Sequence, residues 1–453
     1  MDDLETTTTS GASGPTRDWR VPLLLIAMFL VMTVPVILSE RGGPSEASDQ
    51  DEHHLVVVRQ FQEQWPNLDI VDYPSATSPG YHAALALVAR LVGPEHDVVA
   101  MRLVNCLIGL GFVLVCWWVA SWYISWWSAL VLTLPLGASA YVLGSAIFLT
   151  TDTAALFFVL LALTGVMMRR AGAGRIVLCG VAGACAVGVR QIHVWIAGPI
   201  GIVGLLASPI GAIVPSLARD RAGEPARWGN LIASMVGALL PLGLMAWLAW
   251  QWGGLMPPVY VDIHNTGVNP ATFACALALT GLFGVWYLPL AVESPRDVLR
   301  DRVVWIAMAL GAIAALVVAT SFQDRERAYG PLWRVVRAFP DVMDRSVVIL
   351  PASMLGAMVL AVLYRGAQRN GHGPRAVVVM LCVLGWLLAQ SFNSMAWQRY
   401  FEPLVLVWIV WLIALAQPSL LSSTRRWLGV WLVVLVQLGL SLASLYREVV
   451  FIG

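Results

Sequence analysis

The chain contains 453 residues, of which 58% are hydrophobic and 12% are charged, and its mean hydropathy is +0.75. These values exclude an ordinary soluble domain and predict a polytopic membrane protein. The formal net charge is +1, so no global basic field argues for a nucleic-acid partner. The six cysteines lie inside apolar runs without CxxC spacing, which argues against a disulfide framework or a thiolate metal site. We expect neither a metal nor another cofactor.

Apolar segments of spanning length recur along the whole chain. They predict an all-α fold, a polytopic membrane helix bundle with about thirteen transmembrane helices. We divide the chain into a cytoplasmic tail over residues 1–20 and a single transmembrane domain over residues 21–453, which includes an external loop over residues 39–98. The predicted spans are Val21–Leu38, Val99–Ala120, Ser128–Phe148, Ala154–Met168, Ile176–Val189, Val194–Pro215, Leu231–Trp250, Thr272–Ala291, Val303–Thr320, Val347–Tyr364, Ala376–Phe392, Leu404–Ala416 and Trp427–Leu445.

The positions of the arginines predict the orientation, because positively charged loops are retained in the cytoplasm. When the spans are threaded alternately, the arginine-rich loops fall on the side of the N-terminus; they lie near Arg17, Arg170, Arg221, Arg300, Arg369 and Arg426. The first loop falls on the opposite side and is acidic. We therefore expect the acidic loop to face the external side of the membrane.

Polar residues that are out of place beside a membrane gather on this external side. Charged groups near hydrocarbon cost free energy and usually mark a site or a pathway. Any single one of them is explained as well by ordinary loop polarity, and their grouping is what favours a site. They are Asp51, Glu52, Thr151, Asp152, Arg190, Gln191, His193, Asp262, His264, Arg399 and Tyr400.

The first loop has an internal pattern of its own. Residues 51–61 place Leu55, Val58 and Phe61 at helical spacing, which predicts an amphipathic helix whose start is capped by Asp49 or Asp51. An extended segment rich in proline, serine and threonine follows, and residues 81–91 resume a helical pattern. The carboxylates at the helix start fit either a catalytic site or a solvated N-terminus stabilised by the helix dipole.

Several of these segments resemble, in the same order, the motifs of one enzyme family. Asp51–His54 followed by Thr77–Tyr81 is similar to the first luminal loop of the eukaryotic dolichyl-phosphate-glucose-dependent alpha-1,2-glucosyltransferases, whose layout is that of the GT-C glycosyltransferases. Thr151-Asp152, Arg190-Gln191 and Arg399–Phe401 resemble later motifs of that family. Ser78 and His193 depart from its pattern, and a histidine-rich loop survives only as Asp262 and His264, which leaves the sugar and the acceptor open.

The resemblance implies an inverting transferase that is active on the external side of its membrane. The N-terminal tail rich in threonine, serine and glycine and the absence of lysine favour a bacterial relative, so we expect the cytoplasmic membrane of a bacterium with the site on the periplasmic side. The partners of the transferase would be membrane lipid, a polyprenyl-phosphate donor carrying a sugar, glucose in the family, and a lipid-linked or extracytoplasmic glycan acceptor. Asp51, or else Glu52, would act as general base, and Arg399 and Arg190 would bind the phosphate. Other expected substrate-binding residues are Gln191, Tyr400, Asp152, His54, Tyr81, His264 and Arg102.

Two other functions fit the same sequence. A related GT-C transferase would use the first-loop carboxylate with a different sugar, such as mannose or aminoarabinose. A lipid or glycolipid transporter would place ionisable residues near the middle of the membrane, often in two related halves. Here the charges lie at one interface and no repeat between halves is visible, which favours an enzyme.

Overall fold

The computed structural model describes residues 17–39, 44–168, 172–210, 227–261, 267–292, 294–321, 328–416 and 424–445. Within these ranges the protein is almost entirely helical, and its strands are a two-residue antiparallel pair, β1 (Asp341–Val342) and β2 (Arg345–Ser346). The predicted all-α membrane bundle is confirmed. The long apolar runs form helices because a helix satisfies every backbone polar group within one segment.

The helices follow the predicted spans closely. In chain order they are α1 (Arg20–Ser39), α2 (Pro44–Asp49), α3 (Leu55–Gln64), α4 (Gly80–Val92), α5 (Asp97–Ala120), α6 (Trp126–Gly137), α7 (Ala140–Ile147), α8 (Thr151–Met167), α9 (Ala173–Val189), α10 (Ala197–Leu206), α11 (Trp228–Trp252), α12 (Ala271–Gly284), α13 (Leu288–Ala291), α14 (Pro295–Arg300), α15 (Arg302–Leu316), α16 (Pro331–Ala338), α17 (Ile349–Arg369), α18 (Gly373–Gln390), α19 (Glu402–Ala416) and α20 (Leu428–Ser444). A π-helical turn covers Gln50–His54, and 3-10 turns cover Gln191–Ile196, Pro258–Tyr260, Val285–Tyr287, Gln398–Tyr400 and Thr424–Trp427.

Within the described ranges, eight helical segments are long and apolar enough to cross a membrane. The predicted third span is instead a bent pair, in which α6 and α7 meet at 72°. Four other predicted spans form apolar helices of 17 residues or fewer, namely Thr151–Met167, Ala173–Val189, Gln191–Leu206 and Arg302–Leu316. The predicted positions are therefore confirmed, whereas the length of several spans is shorter than the hydropathy pattern suggests.

The first loop folds as two packed helices. Val57, Val58 and Phe61 of α3 form a small apolar core with Tyr73 and Leu85, the latter from α4. The predicted helices over residues 51–61 and 81–91 are both present. The predicted cap is wrong, because the helical segment already begins at Pro44 and the Asp49 side chain makes no capping hydrogen bond.

Polar groups at opposite ends of the helices distinguish the two rims of the bundle. Asp152 lies in the first turn of α8, and at the other end of that helix the Met167 carbonyl accepts a hydrogen bond from Tyr123. The Tyr123 ring packs edge-to-face on His372 and lies 5.6 Å from the guanidinium of Arg375. The arginine-rich segment around residue 375 thus lies at the rim opposite Asp152, as the threading predicts.

Glycines allow α12 and α17 to pack with their backbones in close contact. A Cβ atom added at Gly356 would overlap the Leu277 carbonyl, and one added at Gly281 would overlap the Ala352 carbonyl. Small residues of this kind permit the van der Waals packing that drives helix association in lipid, where apolar side chains gain little from leaving the solvent. This helix pair therefore depends on the absence of side chains at two positions.

We expect Gly356→Ala to lower the stability of the purified protein by about 1–3 kcal/mol, because the added methyl group forces the two helices apart. The measurement is the unfolding midpoint in detergent. Gly243→Ala is the matched control, since no heavy atom lies within 4 Å of a Cβ added there. Equal midpoints for the two variants would contradict the packing argument.

Candidate active site

Four charged side chains from distant parts of the chain meet at the Asp152 rim of the bundle. The Arg399 Nη1 atom lies 2.7 Å from Asp49 Oδ2, and Arg399 Nε lies 3.4 Å from Asp152 Oδ2. The other oxygen of Asp152 forms an ion pair with Arg190 Nη1. The result is a continuous alternation of negative and positive groups, Asp49, Arg399, Asp152 and Arg190, which we call the charge chain.

Three members of the charge chain stand at the end of a helix, and Asp49 lies within the continuous helical segment that begins at Pro44. Asp49 is the last residue of α2, and Asp152 lies in the first turn of α8, where the helix dipole favours a carboxylate. Arg190 directly follows α9 in an extended conformation, and Arg399 lies in the 3-10 turn before α19. Because these helices end at one rim, residues far apart in the sequence converge there.

Aromatic rings cover the two guanidinium groups. The Arg399 guanidinium lies 4.5 Å from the ring centroid of Trp397, and the Arg190 guanidinium lies 4.7 Å from that of Tyr400. The Trp397 and Tyr400 rings are themselves stacked, with centroids 5.6 Å apart. Cation–π contacts of this kind strengthen as water is excluded, so the rings help to hold the two positive charges near the membrane.

The Asp49 carboxylate remains ionised in this setting. Burial by itself would raise its pKa, but the positive charge and hydrogen bond of Arg399 outweigh that effect and lower the pKa below its ordinary value. His54 and His53 also lower it through their charge. Two carboxylates therefore face two guanidinium groups, and the four formal charges cancel.

Hydrogen bonds hold the proline-rich part of the first loop, residues 73–81, next to Arg190. Gln191 Nε2 donates a hydrogen bond to the Ala76 carbonyl at 2.8 Å, and its Oε1 accepts one from Ser78 Oγ at 3.2 Å. A Cβ atom added at Gly80 would lie 2.6 Å from the Gly188 carbonyl oxygen. This close approach explains the glycine of the loop motif, because any side chain would push α4 away from the end of α9.

Arg102 reaches the same region through Gln50. Its Nε donates to Gln50 Oε1 at 2.9 Å, and the backbone N–H of Leu149 donates to the same oxygen at 3.2 Å. The Gln50 amide in turn donates to Asp51 Oδ1 at 2.7 Å. Gln50 is buried, so this single amide joins the first loop to α5 and to the segment just before Asp152.

Two buried histidines lie near the charge chain. His54 Nδ1 and His82 Nε2 are 2.9 Å apart, and their rings are stacked. Tyr81 packs edge-to-face against both rings and donates a hydrogen bond to Asn105 Oδ1 at 3.2 Å. Burial lowers the pKa of His54 to about 4, with the charges of Arg399 and Arg190 acting in the same direction and that of Asp49 acting against it.

The structure thus brings most of the predicted site residues together. Asp152, Arg190, Arg399 and Tyr400 contact one another, and Gln191 follows Arg190 in the chain. His54, against which Tyr81 packs, is close enough to Arg399 and Arg190 for their charges to act on it, whereas Arg102 contacts the first loop through Gln50. His264 and Asp262 lie outside the described residues. The roles assigned to all of these side chains stay predictions.

The two predicted candidates for the general base are less central. Asp51 and Glu52 are exposed, and Glu52 accepts a hydrogen bond from Ser48 at 2.8 Å. The first-loop carboxylate that contacts Arg399 is instead Asp49, for which the sequence predicts only a capping role. The sequence feature that could have identified Asp49 is its position in the same acidic stretch, two residues before Asp51. His82 and Trp397 were also missed, although both adjoin segments that the motifs identify.

Several buried polar atoms near the charge chain have no hydrogen-bond partner among the described residues, and four of them are candidates for ligand contact. They belong to side chains next to the site in sequence or in space, and such atoms in a native protein need an explanation. They are Thr150 Oγ1, Thr153 Oγ1, His82 Nδ1 and His193 Nδ1.

No family model and no curated protein matches the chain. Among solved structures it is similar to two crystal structures of ArnT from Cupriavidus metallidurans, one in the apo state and one bound to undecaprenyl phosphate. Sequence identity is 18% and 17%, the TM-scores are 0.36 and 0.38, and each alignment covers 86% of this chain and 76% of that one. At these values the likeness identifies no substrate for this chain, and neither match supports the glucose donor that the motif resemblance implies.

The stability of the protein should fall as the pH is lowered from about 6.5 to about 4. In that interval the unfolded chain takes up a proton on His54, whereas the folded protein keeps the imidazole neutral until its lowered pKa is reached. Asp49, His53, His82, Arg399 and Arg190 are the charged or titratable groups that act on it. The contribution is at most about 3 kcal/mol.

His54→Asn should therefore reduce the slope of unfolding midpoint against pH, measured in detergent between pH 4 and pH 7. His53→Asn is the matched control, because it changes the same residue type at the adjacent, exposed position. If both variants kept the wild-type slope, His54 would not be the group that couples stability to pH.

Proposed function

We propose that the protein is a glycosyltransferase of the external membrane face that moves a sugar from a polyprenyl-phosphate donor to a lipid-linked or extracytoplasmic glycan acceptor. The observation that carries the proposal is the charge chain, in which two arginines stand under aromatic rings at the rim that also holds the acidic first loop. A phosphate attached to a membrane-anchored chain presents its negative charge at this depth. Guanidinium binds phosphate in a bidentate manner and stays charged near lipid.

The proposed reaction transfers the sugar from the phosphate of the lipid donor to a hydroxyl group of the acceptor. An acceptor hydroxyl attacks the anomeric carbon, the bond from that carbon to the phosphate oxygen breaks, and a carboxylate takes the hydroxyl proton. The departing lipid phosphate gains negative charge in the transition state, which Arg399 and Arg190 would stabilise because they are already oriented. The buried atoms of Thr150, Thr153 and His193 that lack partners among the described residues offer hydrogen bonds for the sugar.

The sugar is the open part of the proposal. The motif resemblance favours glucose, but the chain departs from that motif at Ser78 and His193, and a single hydrogen bond can change which sugar is accepted. Aminoarabinose is therefore the alternative to test first, followed by mannose. The test is transfer by the purified protein in proteoliposomes, with each sugar offered as its undecaprenyl-phosphate derivative and the lipid acceptors of a bacterial membrane extract.

A transporter is the competing function from another class. It would move the polyprenyl-phosphate sugar across the bilayer without breaking its anomeric bond. The same proteoliposomes distinguish the two, because mass spectrometry detects free undecaprenyl phosphate and a glycosylated acceptor only if transfer occurs. Movement of intact donor without either product would refute the proposal.

Asp51→Asn should lower the transfer rate by about two to four orders of magnitude while leaving undecaprenyl-phosphate binding intact, because it removes the proton acceptor and none of the cations. Glu52→Gln and Asp49→Asn are compared in the same assay. If Asp49→Asn alone abolished transfer with lipid binding retained, the base would be Asp49 and the first-choice assignment would be wrong.

Arg399→Lys should raise the KM for the lipid donor and lower kcat/KM at least about tenfold. An ammonium group keeps the charge, but it cannot face Asp49 and Asp152 while stacking on Trp397. The matched control is Arg365→Lys, which alters the Arg365–Asp301 ion pair near the cytoplasmic loops, where the two atoms are 2.8 Å apart. Equal kinetic effects of the two substitutions would argue against a phosphate site at Arg399.

A further inference from the structure

Glu402 is a buried acid that the proposed chemistry does not use. Its side chain is 1% exposed and lies in the first turn of α19. Its Oε1 atom accepts hydrogen bonds from Ser139 Oγ at 2.7 Å and from Gln437 Nε2 at 3.0 Å, and its Oε2 atom accepts one from Gln398 Nε2 at 2.7 Å. Among the described residues it has no cationic partner, whereas the buried carboxylate of Asp152 has two.

One of these partners, Gln398, is part of the turn that carries Arg399. Gln398 immediately precedes Arg399, and its backbone N–H donates to the Tyr329 carbonyl at 2.9 Å. Its Oε1 atom accepts from the backbone N–H of Leu332 at 2.8 Å, which leaves its Nε2 facing Glu402. The turn is thus held on one side by the start of α16 and on the other by the carboxyl group of Glu402.

The other partners reach the segment that carries Asp152. Ser139 stands at the bend between α6 and α7, and α7 leads within a few residues to Asp152 at the start of α8. Gln437 belongs to α20, which makes a second contact at the same bend, because Ser441 Oγ donates to the Ala138 carbonyl at 2.7 Å. One carboxyl group therefore joins the supports of both Arg399 and Asp152.

We propose that Glu402 is a positioning residue that aligns Arg399 with Asp152 by linking the 3-10 turn to the bend between α6 and α7. Only a carboxyl group or a similar acceptor satisfies the donors around it, and an apolar side chain would leave three buried donors unpaired. The consequence for catalysis rests on the proposed function, since it assumes that Arg399 binds the lipid phosphate. The structural part of the proposal does not.

Glu402→Gln should preserve the arrangement. The new amide keeps one oxygen for Gln398, and its NH2 group replaces the oxygen that Ser139 and Gln437 face. The Ser139 hydroxyl is able to accept from one N–H, and the Gln437 amide is able to turn over and accept from the other, because its Oε1 has no partner among the described residues. Glu402→Leu offers no acceptor at all. The two variants differ little in size, so they separate the loss of hydrogen bonding from a change of volume.

The experiment is hydrogen–deuterium exchange on the purified full-length protein in detergent, combined with undecaprenyl-phosphate binding. For Glu402→Leu we expect protection to fall about tenfold in residues 396–401 and 139–152, and lipid affinity to fall about tenfold. For Glu402→Gln we expect changes below about threefold. Ser353→Ala is the control, since it removes a buried interhelical hydrogen bond to the Ala274 carbonyl from helices that hold none of the charge chain.

Wild-type exchange in both segments of Glu402→Leu would overturn the proposal, as would an equal effect of Ser353→Ala on those segments. If Glu402→Leu does not fold, Ser139→Ala replaces it. Loss of this one donor should raise exchange in residues 139–152 and leave residues 396–401 nearly unchanged. Wild-type exchange in residues 139–152 of Ser139→Ala would then overturn the proposal. Failure of the wild-type protein to bind undecaprenyl phosphate would count against the proposed function alone, because the exchange pattern is read without ligand.

Discussion

The placement of Arg399 between two carboxylates is the constraint on which the rest of the candidate site depends. Asp49 and Arg399 are 350 positions apart in the chain, and Asp152 lies between them in sequence. In a bundle surrounded by lipid, alternative pairings of apolar helices differ little in free energy. Polar contacts therefore contribute strongly to which helix ends pack together. Removing one partner from such a pair leaves an uncompensated buried charge, at a cost of about 3–5 kcal/mol.

The balance of two carboxylates against two guanidinium groups affects how an anionic ligand would enter. On the proposed function, a lipid phosphate competes for the guanidinium groups with the carboxylates that already hold them. Asp152 is fixed in the first turn of a long helix and is stabilised by its dipole, whereas Asp49 lies inside the helical segment of the first loop, away from a helix N-terminus. Asp49 is therefore the partner that a phosphate would displace, and its exchange at Arg399 would couple donor binding to the first loop.

The fold was largely predictable because its signal is local. Apolar runs specify helices, and the threading of the arginine-rich loops correctly places the segment around Arg375 at the rim opposite Asp152. Short motifs also indicated Asp152, Arg190 and Arg399. The first-loop carboxylate that pairs with Arg399, Asp49, was not predictable, because a π-helical turn over residues 50–54 changes the rotation per residue and breaks the 3.6-residue pattern from which the faces of this segment were read. Glu402 was missed for a different reason: it opens an almost wholly apolar helix, where hydropathy is the dominant signal.

The departure of the loop motif at position 78 has a structural explanation. The Ser78 hydroxyl donates to Gln191, the residue after Arg190, and Gln191 donates in turn to the Ala76 carbonyl. A proline at this position would restrict the loop through its ring, but it has no side-chain donor. The serine replaces that restriction with a hydrogen bond to the segment that carries Arg190. The difference at position 78 therefore affects how the first loop is held in place. On the proposed function, selection of the sugar would fall instead to buried polar atoms that lack partners among the described residues, such as those of Thr150, Thr153 and His193.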